Sequence, residues 1–178
     1  MRQSGVADEF NGMWLGKVKP LNEEQEELRL KLRDVVIKGK PWCLVIAGTK
    51  GNGKSFWSQV AVNTYNNDGF CGGLYTTQPI LQSELRENGS KAFAKYSKAP
   101  VLVIDEISDR PDDWTEFIKT NAENILIERH RNNLRTVLIG NTTIQRMVAM
   151  FDVRVRDRLR EGTHMVMKEE SLRETYEN

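Results

Sequence analysis

Gly48-Thr49-Lys50-Gly51-Asn52-Gly53-Lys54-Ser55 fits the pattern G-x-x-x-x-G-K-[ST]. The stretch lies between a short apolar run, Trp42 to Ala47, and a segment that reads as a helix. Glycines let the backbone curl so that successive N–H groups point at a phosphate, and the positive end of the following helix adds to the attraction. In such a loop Lys54 reaches the β- and γ-phosphates of a nucleotide, and the Ser55 hydroxyl serves Mg²⁺. The bland alternative is a glycine-rich turn with a chance lysine. The strand before and the helix after favour the phosphate loop.

A second run supports the first. After Pro100 come Val101-Leu102-Val103-Ile104-Asp105-Glu106. Four apolar residues in succession suit a strand buried on both faces of a parallel sheet. A lone acid at its end would be an ordinary loop start. Two adjacent acids, some fifty residues after the phosphate loop, look like a Walker B element. Asp105 would hold Mg²⁺ through its water shell, and Glu106 would orient and polarise the attacking water. The tandem acids favour an ATPase over a kinase or a GTPase.

Size and charge bound the answer. The chain has 178 residues, enough for one domain with one core. Twenty-six basic against 25 acidic residues leave a net charge of +1, which excludes a strongly DNA-coating protein but allows local basic patches. Cys43 and Cys71 form no metal-ligand spacing and read as two buried small hydrophobes in a reducing compartment. No apolar run has the length of a membrane span, and the N-terminus has no apolar signal core. The expectation is a soluble, cytoplasmic protein with no membrane partner.

The elements alternate. Residues 1–20 read as an irregular N-terminal docking segment with Phe10, Met13 and Trp14 as contact points, and residues 21–178 as the ATPase domain. Asn22 can cap a helix to about Ile37, with Gln25 reaching back and Leu28, Leu32, Val35 and Val36 on the apolar face. Further helices are expected over 53–66, over 78–96 with a break at Asn88-Gly89-Ser90, and from Pro111 to Asn132-Asn133 with Trp114, Phe117, Ile118 and Ile125 buried. Strands are expected over 42–47, 72–76, 101–105, 136–140 and 164–168. Such alternation specifies an α/β fold with a five-stranded parallel sheet flanked by helices. Ligands in such sheets bind beyond the carboxyl ends of the strands, where the phosphate loop, Asp105, Glu106 and Asn141 all fall.

Two further features carry chemistry. The strand Val137 to Gly140 ends in Asn141-Thr142-Thr143, which reads either as a helix cap or as a sensor amide beside Glu106. Arg154, Arg156, Arg158 and Arg160 recur at every second position. By default they are a solvated helix face. Alternatively, one of them is aimed at a neighbouring subunit's γ-phosphate, a device worth about 10³ to 10⁵ in rate. Lys91, Lys95 and Lys98, with Phe93 and Tyr96 for stacking, are a candidate single-stranded DNA surface or simply an amphipathic helix.

Gly48 to Ser55, Val101 to Glu106, Thr136 to Asn141 and Asp157-Arg158-Leu159 occur in this order and spacing in the AAA+ domain of DnaC-type bacterial and phage helicase loaders, which the chain resembles over nearly its whole length. Ser4-Gly5-Val6, Glu128-Arg129-His130-Arg131 and Glu170-Ser171-Leu172-Arg173 agree with the resemblance. It implies a P-loop NTPase of AAA+ type without a C-terminal helical lid, binding and hydrolysing ATP with Mg²⁺. Ser55 and Asp105 would serve the metal, and Glu106 and Asn141 the reaction. Arg158 would be the finger offered in trans within an ATP-dependent homo-oligomer. Arg173 would sense nucleotide in cis, beside Leu172 where the family has tyrosine. The implied partners are the replicative helicase and single-stranded DNA. Loaders carry a separate helicase-gripping N-terminal domain, whereas this sequence begins almost at the ATPase domain, as a trimmed piece or a short phage-encoded form would. IstB-like transposition helpers acting on duplex DNA share most of the motifs. A nucleotide-dependent adaptor with little turnover is the reading from another class.

Overall fold

The apolar runs become strands, and the central strands β1, β3 and β4 are covered on both faces. The computed structural model describes residues 4–168. Its strands are β1 (Cys43–Gly48), β2 (Leu74–Thr77), β3 (Val101–Ile107), β4 (Arg135–Gly140) and β5 (Thr163–Met167). They form one parallel sheet in the order β2-β3-β4-β1-β5. The helices are α1 (Glu23–Leu32), α2 (Lys54–Asn67), α3 (Gln78–Lys98), α4 (Glu116–Arg131), α5 (Ile144–Ala149) and α6 (Val153–Arg160).

Period-two alternation sorts the strand residues into two cores. Leu44, Ile46, Val101, Val103, Val137 and Ile139 face α1, α2 and the N-terminal segment. Val45, Ala47, Leu102, Ile104 and Leu138 face α3, α4 and α6. The central strands read as continuous apolar runs because neither face meets water.

Local chemistry sets the helix ends. Asn22 caps α1 by accepting from the Gln25 N–H at 2.8 Å, while the Gln25 Oε1 accepts from the Leu21 N–H at 3.1 Å, one residue earlier than a capping box requires. The six residues after α1, Arg33–Lys38, are wound as a π-helix and end at Gly39. The α3 segment kinks at Gly89, as its Asn-Gly-Ser signal predicts. Pro111 opens a separate 3₁₀ turn (Pro111–Asp113) rather than α4, which starts three residues beyond that turn under a Thr115 cap. The reason is a competing network: Ser108 and Gln82 bond Asp113, and the Trp114 indole donates to the Ser108 carbonyl. Phe117 consequently turns outward and is 55% exposed, contrary to expectation.

The N-terminal segment is part of the α2 core. Phe10 and Leu15 are buried. Asn63 Nδ2 donates to the Phe10 and Met13 carbonyls, and the Leu15 N–H donates to Thr64 Oγ1. Trp14 stays half-buried under the Lys17 ammonium. At the sheet edge the Tyr75 N–H donates to the Ser4 carbonyl at 2.7 Å.

Arg129 is a fully buried cation. Its guanidinium donates to the carbonyls of Tyr96, Ala99 and Arg135 and to Thr136 Oγ1, at 2.6 to 2.9 Å. Burial pushes its pKa down to about 9, and these oxygens hold it charged at neutral pH. Tyr96 is therefore locked inside the core. With Lys95 paired to Glu84, the anticipated stacking surface on α3 does not form.

Replacing Arg129 by Met should orphan three buried carbonyls at about 1–3 kcal/mol each, lowering stability by about 3 kcal/mol or more in urea unfolding. The two cysteines differ, since Cys43 is buried and Cys71 exposed in the loop before β2. Burial, reinforced by Glu161, pushes the Cys43 thiol up to about 12. Alkylation of the folded protein at neutral pH should label Cys71 alone, with mass spectrometry after proteolysis as the readout.

Candidate functional site

The carboxyl ends of β1, β3 and β4 meet beside the start of α2, because β1 pairs with β4 and β4 with β3. The phosphate loop follows β1 directly. Gly48 has φ 143°, and a Cβ there would sit 2.2 Å from the Met167 carbonyl, so only glycine lets β5 pass this close. The loop borders a cleft of about 610 Å³ lined by Lys50 to Ser55, Glu106 and Asn141, with Val18, Leu21 and Trp57 on one wall.

Inside the loop Lys54 is held by the loop itself. Its ammonium donates to the carbonyls of Gly48 and Thr49 and to Asn52 Oδ1. Asn52 is buried, and its amide also donates to the Met167 carbonyl, which fastens the loop to β5. Burial pushes the Lys54 ammonium down to about 8, while Asp105 and Glu24 pull it back up.

Asp105 and Glu106 part company. Alternation places Asp105 on the α2 face with Val103, where it is 2% exposed. Its Oδ1 accepts from the Glu106 N–H and its Oδ2 from the Tyr75 hydroxyl, both at 2.6 Å. The same alternation would drive Glu106 into the apolar layer with Leu102 and Ile104. Instead Glu106 takes φ 58°, the register of β3 on β4 slips between Ile104 and Ile107, and the carboxylate emerges into the cleft. A left-handed non-glycine residue costs about 1–2 kcal/mol.

Asn141 lines the cleft and does not cap α5; Thr143 does, accepting from the Arg146 N–H. Thr142 donates to Asp109. Lys54, Ser55, Glu106 and Asn141 thus line one cavity, with Asp105 just behind it. Arg158 does not line it. It sits on α6, where its Nη1 donates to the Arg154 carbonyl. Arg154 and Arg160 pair with Asp152 and Asp157, but Arg158 has no carboxylate partner among the described residues. Arg173 lies outside the described residues.

Tyr75 belongs to none of the motifs read in the sequence. Its hydroxyl bonds Asp105 and also meets the Ser55 hydroxyl. Burial and the Asp105 charge push its pKa up, so the phenol keeps its proton. Counting alternation once β2 and β3 are paired would have found it, since Tyr75 opposite Val103 shares the Asp105 face. No group of three or more His, Cys, Asp or Glu among the described residues could cage a metal alone. Ser55 and Asp105 fit instead the way Mg²⁺ is usually held, by one or two protein oxygens together with phosphates and waters.

No protein-family model and no curated protein matches the sequence. Solved structures match the fold. The DnaC helicase loader superposes with a TM-score of 0.73 at 19% identity, covering 91% of this chain and 100% of that one. DnaI gives 0.72 at 18%, covering 91% and 93%. The replication initiator DnaA bound to AMPPCP and single-stranded DNA gives 0.75 at 14%, covering 93% of this chain and 51% of that one. The chain therefore has the α/β fold of DnaC- and DnaA-type AAA+ P-loop domains, with the five-stranded parallel sheet the sequence implies.

The strain at Glu106 has a measurable signature. Glycine removes about 1–2 kcal/mol of left-handed strain and adds back about 0.5–1 in unfolded-chain freedom. Glu106→Gly should leave stability unchanged or up to about 1 kcal/mol higher in urea unfolding, against the loss glycine normally brings to a strand.

Proposed function

We propose that this protein is an ATP-hydrolysing loader of the replicative DNA helicase that also contacts single-stranded DNA. One observation carries the reading: a phosphate loop, an exposed carboxylate and an exposed amide line one cleft with a buried carboxylate behind it, within a fold that covers the whole of a DnaC helicase loader chain.

The base packs against Val18, Leu21 and Trp57, and the phosphates lie along the backbone of Gly51 to Ser55. On binding, Lys54 exchanges its loop carbonyls for phosphate oxygens. Ser55 and Asp105 would hold Mg²⁺, which would supply charge neutralisation on the phosphates. Glu106 takes the hydrogen bond of the attacking water and Asn141 orients that water or the γ-phosphate. Each group acts from a fixed backbone, so most of the benefit is positional. Among the described residues no arginine lines the cleft and Arg158 has no carboxylate partner, so Arg158 is the finger presented to a neighbouring copy. DNA contact falls to exposed lysines such as Lys91 and Lys98 and is strongly salt dependent.

Four measurements test the scheme. Lys54→Ala should weaken binding of a fluorescent ATP analogue by about tenfold or more, since a charge-assisted hydrogen bond is worth about 1.5–3 kcal/mol. Turnover should rise faster than linearly with protein concentration. Glu106→Gln and Arg158→Ala should each bind ATP and lose turnover, and mixing them should restore part of it. Flat specific activity together with a dead mixture would place Arg158 outside the site. Capture of a ring-shaped replicative helicase in ATP separates the loader from a transposition helper, which would assemble on duplex DNA instead.

A further inference from the structure

A serine that ligates a cation offers a lone pair and must donate its own proton elsewhere. At this site the usual acceptor is engaged: Asp105 accepts the Glu106 N–H on one oxygen and the Tyr75 hydroxyl on the other. Tyr75 has one hydroxyl proton, and an ionised carboxylate can only accept, so that proton goes to Asp105. The phenol oxygen is then left with acceptor capacity, and the hydroxyl beside it is that of Ser55.

The geometry points to Tyr75 as a positioning residue for the divalent cation. Ser55 donates to the Tyr75 oxygen and Tyr75 donates to Asp105 Oδ2, a directed chain that turns the Ser55 lone pairs toward the cleft and fixes the Asp105 carboxylate. This rests on the metal-binding reading of Ser55 and Asp105 above. The phenol is held firmly enough for the task. Tyr75 pairs with Val103 on one side, and on the other its N–H bonds the Ser4 carbonyl. Gly5, at φ 74°, lies so close that a Cβ would fall 1.9 Å from the Tyr75 carbonyl oxygen. The N-terminal segment thus clamps the backbone from which the phenol reaches the metal pair. Removing a residue that orients a metal ligand typically costs about 10- to 100-fold in metal affinity.

The test is Mg²⁺ titration of fluorescent ATP-analogue binding by the full chain, with EDTA as the metal-free reference. Tyr75→Phe should raise the half-saturating Mg²⁺ concentration about tenfold or more and leave the affinity in EDTA within about twofold. Added to Ser55→Ala, it should cause no further shift, because the proton donor of the chain is already gone. An unchanged half-saturating Mg²⁺ concentration in a Tyr75→Phe variant with a cooperative thermal melt overturns the assignment, as do fully additive losses in the double variant. A parent chain whose nucleotide affinity ignores Mg²⁺ overturns the metal reading of Ser55 and Asp105, and the assignment falls with it. If Tyr75→Phe does not fold, 3-fluorotyrosine placed at position 75 gives a second readout. Its ¹⁹F resonance should move when Mg²⁺ joins the nucleotide complex, and a stationary line overturns the assignment.

Discussion

A guanidinium paired with oxygens of the backbone and one threonine holds the sheet in register. Arg129 leaves α4 and gathers oxygens from the end of α3, the approach to β3 and the start of β4. A buried charge is tolerated only where polar atoms replace its water, and here backbone carbonyls do so. The result is a fixed origin for β3 and β4 at one end of the sheet. Their other ends deliver Asp105, Glu106 and Asn141. Because strands are stiff and their pairing is discrete, a slip of one residue at Arg129 would turn each of those side chains to the wrong face.

The functional edge spends part of that rigidity. Glu106 stands in a left-handed conformation that lets a strand residue leave its face and enter the cleft. Lys54 is partly desolvated and satisfied by loop carbonyls. Both arrangements are unfavourable taken alone. They persist because the surrounding strands are buried on both sides and leave the chain no cheaper path.

The fold was legible because double-sided burial writes itself as unbroken apolar runs, such as Leu44-Val45-Ile46 and Val137-Leu138-Ile139, and because glycine and asparagine punctuate the turns. The cleft was legible for the same reason: the phosphate loop, Asp105, Glu106 and Asn141 terminate those runs. What escaped depends on contacts between distant segments. Tyr75 looks like any strand tyrosine until β2 is laid against β3. Phe117 belongs to a helical pattern, but the Ser108–Asp113 network delays the helix start to Glu116 and leaves Phe117 facing outward in the first turn. Tyr96 shares a face with lysines in the sequence, yet its carbonyl is claimed by Arg129. Cys71 follows an aromatic residue but falls in a loop.

The closure of the phosphate loop onto β5 bears on how the protein is made. Gly48 admits the Met167 carbonyl, and Asn52, which grips Lys54, bonds that same carbonyl across 115 residues of sequence. Among the described residues β1 pairs with β4 and β5, both far along the sequence from it. Contacts of such separation form late, since loop-closure entropy must be met before they contribute. During synthesis the loop would leave the ribosome well before β4 and β5, as an unpaired glycine-rich segment, and stay without its support until β5 arrived. A nucleotide bound in the cleft could then act as a ligand chaperone only once β5 was in place, and its stabilising effect would fall on that late step of folding rather than on the first.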